Sequence, residues 1–406
     1  MKKICFFTVG VLPVPPVKGG AVENIIKLFI DENEKSHGAD FSVVSIYNEK
    51  AVLESEKYNH CSFYFVKIPC VASALDKIVY ALAKTFLPKR ALSFRMIFSR
   101  LLYINRSKKY FLQNDFDFIV AENHVSLFLA MKDKRMKQKY DKKFIYHAHN
   151  EPTSTFGCKK QIENCPLILT VSDFISRSWK NRFPNGRAEY RCVRNGIDID
   201  LFSKELSPEE NQKLQKNLDI SENDFVIIFA GRLVEEKGIL QLARVFSHLP
   251  IKNKKLLIVG ATFFESKVKS PVQKKLEEIL QPCKNYVRFT GYVPYSDMWK
   301  YYKISAIAGF VPVWNEPGAL TNIEAQASSL PVVSTISGGI PEYSNPESAI
   351  LLPINDNLEN TVYEKIMWLY ENPLRRKQIA KLNHDFAIRF NKENFYKTFM
   401  EAIGVL

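Results

Sequence analysis

The sequence lacks the marks of a disulfide-rich, zinc-binding or membrane-spanning protein. Its seven cysteines are scattered along 406 residues and form no C-x-x-C pair. Such spacing gives neither a disulfide framework nor a zinc site, and it fits a reducing cytoplasm. No apolar run reaches the ~20 residues that a helix needs to cross a bilayer. We therefore expect a cytoplasmic protein.

The amino terminus imitates a secretory signal but has no suitable cleavage site. Met1-Lys2-Lys3 precedes an apolar stretch that is short and runs into three prolines. The small residues that follow are Gly19-Gly20, which do not resemble a signal-peptidase site. A buried first strand explains the same residues better.

Acidic residues are absent between Lys77 and Asn114, although the whole chain carries 57 basic residues (Lys and Arg), 43 acidic residues and a net charge of +14. Basic and apolar residues are interleaved there, and Pro88 divides the segment into two helical pieces. We interpret residues 77–114 as an interfacial helix pair on anionic lipid, at the inner face of the cell membrane. A solvated surface helix is the alternative. Nucleic acid is disfavoured because no recognition motif accompanies the charge.

Short apolar runs alternate with helical stretches, which is typical of βαβ units and parallel sheets. The length suits two domains, and Asn195-Gly196 gives a turn signal between them. We predict an α/β protein with an N-terminal Rossmann-like domain (1–196), a C-terminal one (197–385) and a final helix (386–406) packing back on the first. Two such doubly wound domains facing one another would leave a cleft at the carboxyl ends of their strands. The predicted strands are Ile4–Val9, Phe41–Ile46, Phe63–Val66, Phe118–Val120, Phe144–His147 and Leu167–Val171, then Val226–Ala230, Lys255–Val259, Val287–Thr290, Ala306–Phe310 and Val332–Ser334.

The loop Gly231–Gly238 follows an apolar strand and precedes a helical stretch. A diphosphate can meet backbone N–H groups and the positive end of a helix in such a loop. Arg232 offers a fixed fork of donors, and Lys237 offers a mobile point charge. A surface turn with incidental basic residues is the competing interpretation.

Two carboxylates, Glu316 and Glu324, stand eight positions apart around the start of a predicted helix. Carboxylates accept hydrogen bonds from sugar hydroxyls, so one can hold a hexose and the other a ribose. A capping acid and a solvated helix acid would give the same pattern. Backbone amides at the helix start can point at phosphate, and they belong to Gly318, Ala319, Leu320 and Thr321.

Two features of the first half add weaker indications of a site. Gly19-Gly20 follows the first strand and allows a close approach of backbone to a ligand. His147 and His149 alternate at a strand end and should face the same side. A metal pair is disfavoured because no third ligand follows at suitable spacing. His149 fits a neutral donor–acceptor group, and His124 is the competing candidate.

The ordered series of motifs resembles glycosyltransferase family 4 of the GT-B fold. It runs through the Gly-Gly pair, a strand-end histidine, Val171-Ser172-Asp173-Phe174, N-G-I-D at Asn195–Asp198 and G-R-L-x-x-x-K-G at Gly231–Gly238. F-T-G-x-V at Phe289–Val293 and the glutamate pair followed by A-x-A-S-x-L-P-V-V complete it. The LPVPPVKGG opening also resembles bacterial members associated with spore-coat or surface-polysaccharide genes.

The resemblance implies a retaining, metal-independent transfer of a hexose from a nucleotide diphosphate sugar, UDP being favoured, without a cofactor. The acceptor would be a saccharide or a polyprenyl-linked molecule in bacterial surface polysaccharide or glycoconjugate synthesis. The resemblance implies that Arg232 and Lys237 hold the donor diphosphate, and that Gly20 approaches the phosphate. Glu316 would bind the sugar hydroxyls, and Glu324 would bind the ribose. Backbone near Tyr292 would contact the base, and His149 would contact the sugar.

The sequence departs from the family pattern near the donor. Gly318 and Ala319 replace an aromatic residue and a glycine after the first glutamate, and Gly260-Ala261-Thr262 replaces a glycine-acid-glycine string. Two alternatives therefore stay open, a nucleotide-sugar epimerase on the same fold and a catalytically weak coat-associated protein. Two D-x-D strings, at Asp115 and Asp198, could hold a metal, but their positions before a strand and in a turn favour structural roles.

Overall fold

The structure, a computed structural model, describes residues 1–86, 95–260 and 270–405. The chain forms two compact units. Residues 1–194 together with the residues from Phe395 onward make the first, and Asn195–Asn394 make the second. None of the helices in the described ranges combines the length and the apolar character required to cross a bilayer.

The N-terminal unit is built on a parallel sheet of seven strands in the order β3-β2-β1-β4-β5-β6-β7. Short apolar runs such as that of β1 are buried because helices cover both faces of a parallel sheet. Its strands are β1 Lys3–Phe7, β2 Asp40–Ile46, β3 Cys61–Val66, β4 Phe118–Glu122, β5 Phe144–Ala148, β6 Leu167–Thr170 and β7 Glu189–Cys192. Its helices are α1 Ala21–Ser36, α2 Glu49–Ser55, α3 Cys70–Phe86, α4 Ile97–Gln113, α5 Lys134–Tyr140, α6 Lys159–Glu163 and α7 Asp173–Arg182.

The C-terminal unit has a parallel sheet of six strands in the order β10-β9-β8-β11-β12-β13. Its strands are β8 Phe225–Ala230, β9 Lys254–Val259, β10 Val287–Gly291, β11 Ile307–Phe310, β12 Val332–Thr335 and β13 Ile350–Leu352. Its helices are α8 Ile199–Phe202, α9 Pro208–Asn217, α10 Ile239–His248, α11 Pro271–Leu280, α12 Met298–Lys303, α13 Leu320–Ala327, α14 Leu358–Glu371 and α15 Pro373–Ala387. The prediction of two doubly wound α/β domains is confirmed.

Two edge strands were missing from the prediction. β7, with the sequence EYRC, has one exposed and three half-buried residues and none that is fully buried, so it shows no apolar run. β13 has only three residues. Edge strands need less apolar sequence than central ones because one side of the strand has no neighbour.

The final helix, α16 Lys392–Ala402, supplies part of the N-terminal unit's core. The Phe29 ring on α1 stacks against Phe395 at 4.3 Å and against Phe399 at 4.2 Å between centroids. The Tyr396 hydroxyl lies 2.9 Å from Oδ1 of Asn33. The first unit boundary falls after residue 194, two residues before the predicted one at 196. The second falls after residue 394, nine residues after the predicted one at 385.

Candidate functional site

Three glycines bring the ends of neighbouring strands in the C-terminal unit into close contact. Gly231 donates its N–H to Val259 at 3.0 Å, and Gly260 donates to Gly291 at 2.9 Å. Gly231 and Gly260 have φ angles of 145° and 136°, and a Cβ on Gly260 would overlap the Gly231 carbonyl. These positions therefore require glycine. Tyr292, the predicted base contact, follows Gly291 directly, and its side chain is 49% exposed.

The predicted diphosphate loop is fastened to the segment that follows β11. Gly238 has a φ angle of 71°, and a Cβ there would overlap the Val311 carbonyl. Val313 donates its N–H to the Glu236 carbonyl at 2.9 Å. Arg232 is exposed at the loop surface, whereas Lys237 is half-buried. The loop thus turns its lysine towards the chain after β11.

Lys237 and Glu316 form an ion pair at this place. Nζ of Lys237 lies 2.6 Å from Oε2 of Glu316, and the two side chains are 25% and 13% exposed. Trp314 Nε1 donates to the same oxygen at 2.9 Å. Lys237, predicted to bind the phosphate, and Glu316, predicted to bind the sugar, therefore contact each other. Trp314, which could not be found from the sequence, orients the carboxylate.

The backbone of Glu316 is held by the turn after β12. Gly339 donates its N–H to the Glu316 carbonyl at 2.7 Å, and the Glu316 N–H lies 3.2 Å from the Ser337 hydroxyl. Gly338 has a φ angle of 54° and leaves no room for a Cβ beside that carbonyl. This Gly-Gly turn fixes the backbone of the residue whose carboxylate the site depends on.

A small cavity of about 50 Å³ joins the two loops. The predicted residues among those that line it are Gly231, Lys237, Glu316, Ala319 and Thr321. Ala319 is the N-cap of α13 and offers no side-chain acceptor to the first amides of the helix. Such amides bind anions well. Asn322, which the sequence analysis also missed, lines the same cavity and lies 3.3 Å from the Ser334 hydroxyl through its Nδ2.

Glu324 lies one turn into α13 and is buried. Its Oε2 accepts a hydrogen bond from the Tyr302 hydroxyl at 2.9 Å. Burial raises the pKa of this carboxyl to about 7, and the Tyr302 hydrogen bond opposes that shift. The predicted contact of Glu324 with a ribose stays a prediction, as do those of Arg232, Gly318 and Leu320.

In the N-terminal unit the predicted glycine pair opens α1. Gly19 and Gly20 have φ angles of 72° and 113°, and Gly20 is the N-cap of the helix. A Cβ on Gly20 would overlap Oε2 of Glu23. Glu23 is buried, and burial raises the pKa of its carboxyl to about 7 with a smaller contribution from Glu122.

Glu122 joins the two histidines that the sequence singled out. Oε2 of Glu122 lies 3.1 Å from Nδ1 of His147 and 2.8 Å from Nε2 of His149. All three side chains are buried. No third ligand follows the histidines in the sequence, but the order of the sheet brings in one that precedes them, because Glu122, His147 and His149 have ligand atoms within 4.8 Å of one another. Glu122 is the register partner of His147, so adjacency of β4 and β5 was the signal that could have found it.

The charges in this cluster are fixed by burial and by one another. Burial alone would raise the pKa of Glu122, but His147 and His149 outweigh it and lower it to about 2. Burial and the neighbouring His147 lower the pKa of His149 to about 4. Near neutral pH, therefore, a neutral His149 donates from Nε2 to an ionised Glu122, and Nδ1 carries the lone pair. The cluster can hold a cation, yet its contact distances are also those of ordinary hydrogen bonds.

His124, the competing histidine, has both ring nitrogens in hydrogen bonds. Nδ1 lies 2.7 Å from the Ser126 hydroxyl, and Nε2 lies 3.1 Å from Nη1 of Arg100. Burial, assisted by Arg100, lowers the pKa of His124 to about 4. Both ring nitrogens of His124 are thus engaged within the unit, and the choice of His149 as the functional histidine stays a prediction.

The two D-x-D strings have structural contacts. Asp117 accepts the Lys3 N–H at 2.9 Å, which ties β4 to β1. Asp198 caps α8 by accepting the Leu201 N–H at 3.2 Å, and it lies 2.8 Å from Nζ of Lys392. These contacts agree with the structural roles expected of both strings.

Comparisons with known proteins agree with this geometry. Residues 210–385 match the family described as glycosyl transferases group 1. Spore coat protein SA of Bacillus subtilis is 24% identical over 84% of this chain and 82% of its own length. The lipopolysaccharide 1,2-N-acetylglucosaminetransferase of Salmonella typhimurium is also 24% identical, over 84% and 82%. HepE of Anabaena, solved in complex with UDP-glucose, superposes with a TM-score of 0.72 over 100% of both chains at 18% identity. The fold is GT-B, and the matches support a glycosyltransferase of that superfamily.

Proposed function

We propose that this protein is a retaining hexosyltransferase that uses a nucleotide diphosphate sugar, with UDP as the favoured nucleotide, and needs no metal. The acceptor is a saccharide or a lipid-linked molecule of bacterial surface polysaccharide or glycoconjugate synthesis. The lipopolysaccharide transferase among the relatives supports a saccharide acceptor. The observation that carries the proposal is the contact between Lys237 and Glu316 beside the start of α13.

The ion pair suits a site that exchanges partners when the donor binds. A diphosphate brings two negative charges to Lys237 and to the uncapped amides of α13. The lysine can therefore exchange its ion pair with Glu316 for one with the diphosphate and keep a negatively charged partner. Glu316 is then available to accept hydrogen bonds from sugar hydroxyls, while Trp314 keeps it oriented. The ground-state pair thereby holds both groups in place before the ligand arrives.

The reaction that fits these groups is front-side displacement at the anomeric carbon. The bond from that carbon to the diphosphate oxygen breaks, and a bond to the acceptor oxygen forms on the same face. The acceptor proton passes to the leaving phosphate, so no protein nucleophile is required. Lys237 and Arg232 lower the barrier by meeting the charge that develops on the departing diphosphate. His149, neutral and oriented by Glu122, contacts the transferring sugar.

A thermal-shift titration with UDP tests the donor site directly. Ligand binding to the folded state raises the melting temperature, and the gain grows with the ratio of ligand concentration to Kd. We expect UDP to stabilise the wild-type protein and to lose most of that effect in Lys237→Ala. A screen of nucleotide sugars with an acceptor mixture then measures turnover, which Glu316→Ala should abolish. Full turnover in both variants would refute the site.

The same screen separates the two alternatives. An epimerase would convert a nucleotide sugar without any acceptor, whereas a transferase would not. A coat-associated protein without turnover, which the similarity to spore coat protein SA makes worth testing, would bind UDP but transfer nothing. Transfer that depends on an acceptor would refute both alternatives.

A further inference from the structure

Helix α3 presents an apolar stripe to solvent. Its members recur at intervals of three or four residues, and their exposed fractions lie between 41% and 75%. They are Val71, Leu75, Ile78, Leu82 and Phe86. A helix of a soluble domain normally turns such a stripe towards the core, and contiguous exposed apolar patches mark interaction surfaces.

The orientation of α3 is fixed by its other side. Small and polar residues, Ala72, Asp76 and Ala83, are buried. The Asp76 carboxylate accepts the N–H groups of Phe98 at 2.8 Å and Ser99 at 3.0 Å. These two hydrogen bonds satisfy free amides at the start of α4. Because Asp76 connects α3 to α4 in this way, the helix cannot rotate its apolar stripe inwards without breaking both hydrogen bonds and leaving the Phe98 and Ser99 N–H groups without their acceptor.

The apolar surface continues from α3 onto α4. Phe98 and Leu101 on α4 are 38% and 49% exposed. Between the two helices lies a groove of about 740 Å³, and Leu75, Leu101 and Leu129 are among its lining residues. We define the α3–α4 face as this stripe together with Phe98 and Leu101. The predicted basic segment, residues 77–114, overlaps it, and residues 87–94 of that segment lie outside the described residues.

The basic residues of the segment that lie within the described ranges divide into two sets. One set has partners within the N-terminal unit. Arg100 contacts His124, Arg106 donates to the Lys67 carbonyl, and Lys108 lies 3.1 Å from Asp133. The other set is exposed and consists of Lys77, Lys84, Arg95 and Lys109. The charge available to a partner is therefore positive and sits beside the apolar stripe.

This combination favours an anionic lipid surface over a second copy of the chain. In a two-fold dimer the same patch meets itself, so the positive patch that contains Lys77 and Lys84 would meet an identical positive patch and be repelled by it. An anionic bilayer offers both an apolar layer and the opposite charge. We infer that the α3–α4 face docks on an anionic membrane, with the apolar stripe entering the boundary between headgroups and acyl chains and the lysines contacting lipid phosphates.

Docking by this face would place the protein where a lipid-linked acceptor is found, and in that respect it rests on the proposed function. The binding itself needs no nucleotide. Its failure and the failure of the donor site are therefore distinguishable, because UDP binding is measured separately and without vesicles.

Co-sedimentation with lipid vesicles tests the inference. We expect the wild-type protein to sediment with phosphatidylglycerol vesicles and much less with phosphatidylcholine vesicles. The double variant Ile78→Ser/Leu82→Ser should lower the partition coefficient about tenfold or more, because two apolar side chains no longer enter the bilayer. Lys77→Glu/Lys84→Glu should also weaken binding and reduce its salt dependence.

A matched control replaces two equally exposed leucines elsewhere. Leu53 on α2 and Leu374 on α15 are 64% and 77% exposed, so Leu53→Ser/Leu374→Ser removes apolar surface without touching the face. Vesicle binding should not change in this control, and the UDP-induced thermal shift should not change in any of the variants.

Cys70 gives a second measurement without altering the face. It is the exposed first residue of α3, whereas the other cysteines are buried or half-buried. A polarity-sensitive fluorophore on Cys70, in a Cys192→Ser background, should shift to the blue when phosphatidylglycerol vesicles are added.

Four results would overturn the inference. They are wild-type protein that stays in the supernatant, equal binding to phosphatidylcholine, unchanged binding of Ile78→Ser/Leu82→Ser, and a solution dimer that this variant converts to monomer. The last result would assign the face to self-association.

Discussion

Each unit places a glutamate and its partners near the carboxyl ends of its parallel strands, but the two glutamates are held differently. Glu122 is completely buried between two histidines. Glu316 is 13% exposed and shares one oxygen between a lysine and a tryptophan. A buried charge must keep its partners, since losing one leaves an uncompensated charge. A partly exposed pair can exchange its partner for a ligand.

The difference in burial suits the two clusters to different roles. In the N-terminal cluster, Glu122 fixes the tautomer and the orientation of His149 through a hydrogen bond from Nε2. The C-terminal cluster stores a cation and an anion that a charged ligand can separate. Substitutions should therefore reduce ligand binding in the C-terminal unit and alter the geometry of the reaction in the N-terminal unit.

The largest effect is expected from Lys237→Ala. Removing the cation that meets the leaving diphosphate should lower kcat/KM for the donor by about 10²–10³-fold. Lys303→Ala is a matched control, because Lys303 pairs with Glu205 at 2.7 Å in the same unit and lies outside both predicted donor loops. Steady-state kinetics with the donor found by screening measure both. A loss as large in the control would show that general charge, rather than this site, is responsible.

Glu324→Gln should separate stability from ligand binding. A carboxyl pKa raised to about 7 means that the folded protein holds the proton more tightly than the unfolded chain. The wild-type free energy of unfolding therefore falls as the pH rises from about 4.5 to about 7. Glutamine removes that loss, so the variant should exceed the wild type by about 2–3 kcal/mol at pH 8.

Urea unfolding at pH 5 and at pH 8 measures this difference, and UDP titration measures the binding. The ribose contact predicts that Glu324→Gln binds UDP more weakly in spite of its greater stability. Unchanged UDP affinity would remove Glu324 from the donor site and leave its stability effect intact.

Glu122→Gln should change the reaction more than the binding. Replacing the carboxylate that orients a metal-bound histidine typically costs about 10–100-fold in metal affinity or activity, and the lower end, about tenfold, suits a histidine that only contacts a sugar. We expect kcat to fall by about that factor while the UDP-induced thermal shift is preserved. Glu151→Gln, a nearby carboxylate that accepts from Ser178 at 2.9 Å, is the control. Loss of UDP binding in Glu122→Gln would contradict the division of work between the clusters.

The smallest effect is expected from metal removal. EDTA should leave turnover unchanged, since the proposed mechanism uses Lys237 and Arg232 where other transferases use a cation. Asp198→Ala should cost about 1 kcal/mol through the lost cap of α8 and should not alter kcat. Inhibition by EDTA that Mg²⁺ reverses would point instead to the cluster of Glu122, His147 and His149.

The architecture could be predicted from the sequence because the buried strands of a parallel sheet appear there as short apolar runs. The sequence also placed Lys237 and Glu316 after the ends of two predicted strands, and the structure makes these strands, β8 and β11, neighbours and brings the two side chains together. It could not supply Glu122, which stands 25 residues before His147 and becomes its neighbour only through sheet order. Nor could it show that Arg100 and Lys108 have internal partners while apolar residues of α3 face outwards. Both facts depend on tertiary packing.

The C-terminal unit is inserted into the N-terminal one, because Phe395 and Phe399 stack on Phe29. During synthesis the first unit cannot complete its aromatic core until the ribosome has made the whole of the second unit, because Phe395 and Phe399 follow that unit in the chain. The second unit is one continuous segment, Asn195–Asn394, and has no such dependence. Dissection into fragments should therefore be asymmetric: the later unit can be expressed as a simple piece, whereas the earlier one needs residues 395–405 supplied in trans or joined ahead of residue 1 by circular permutation.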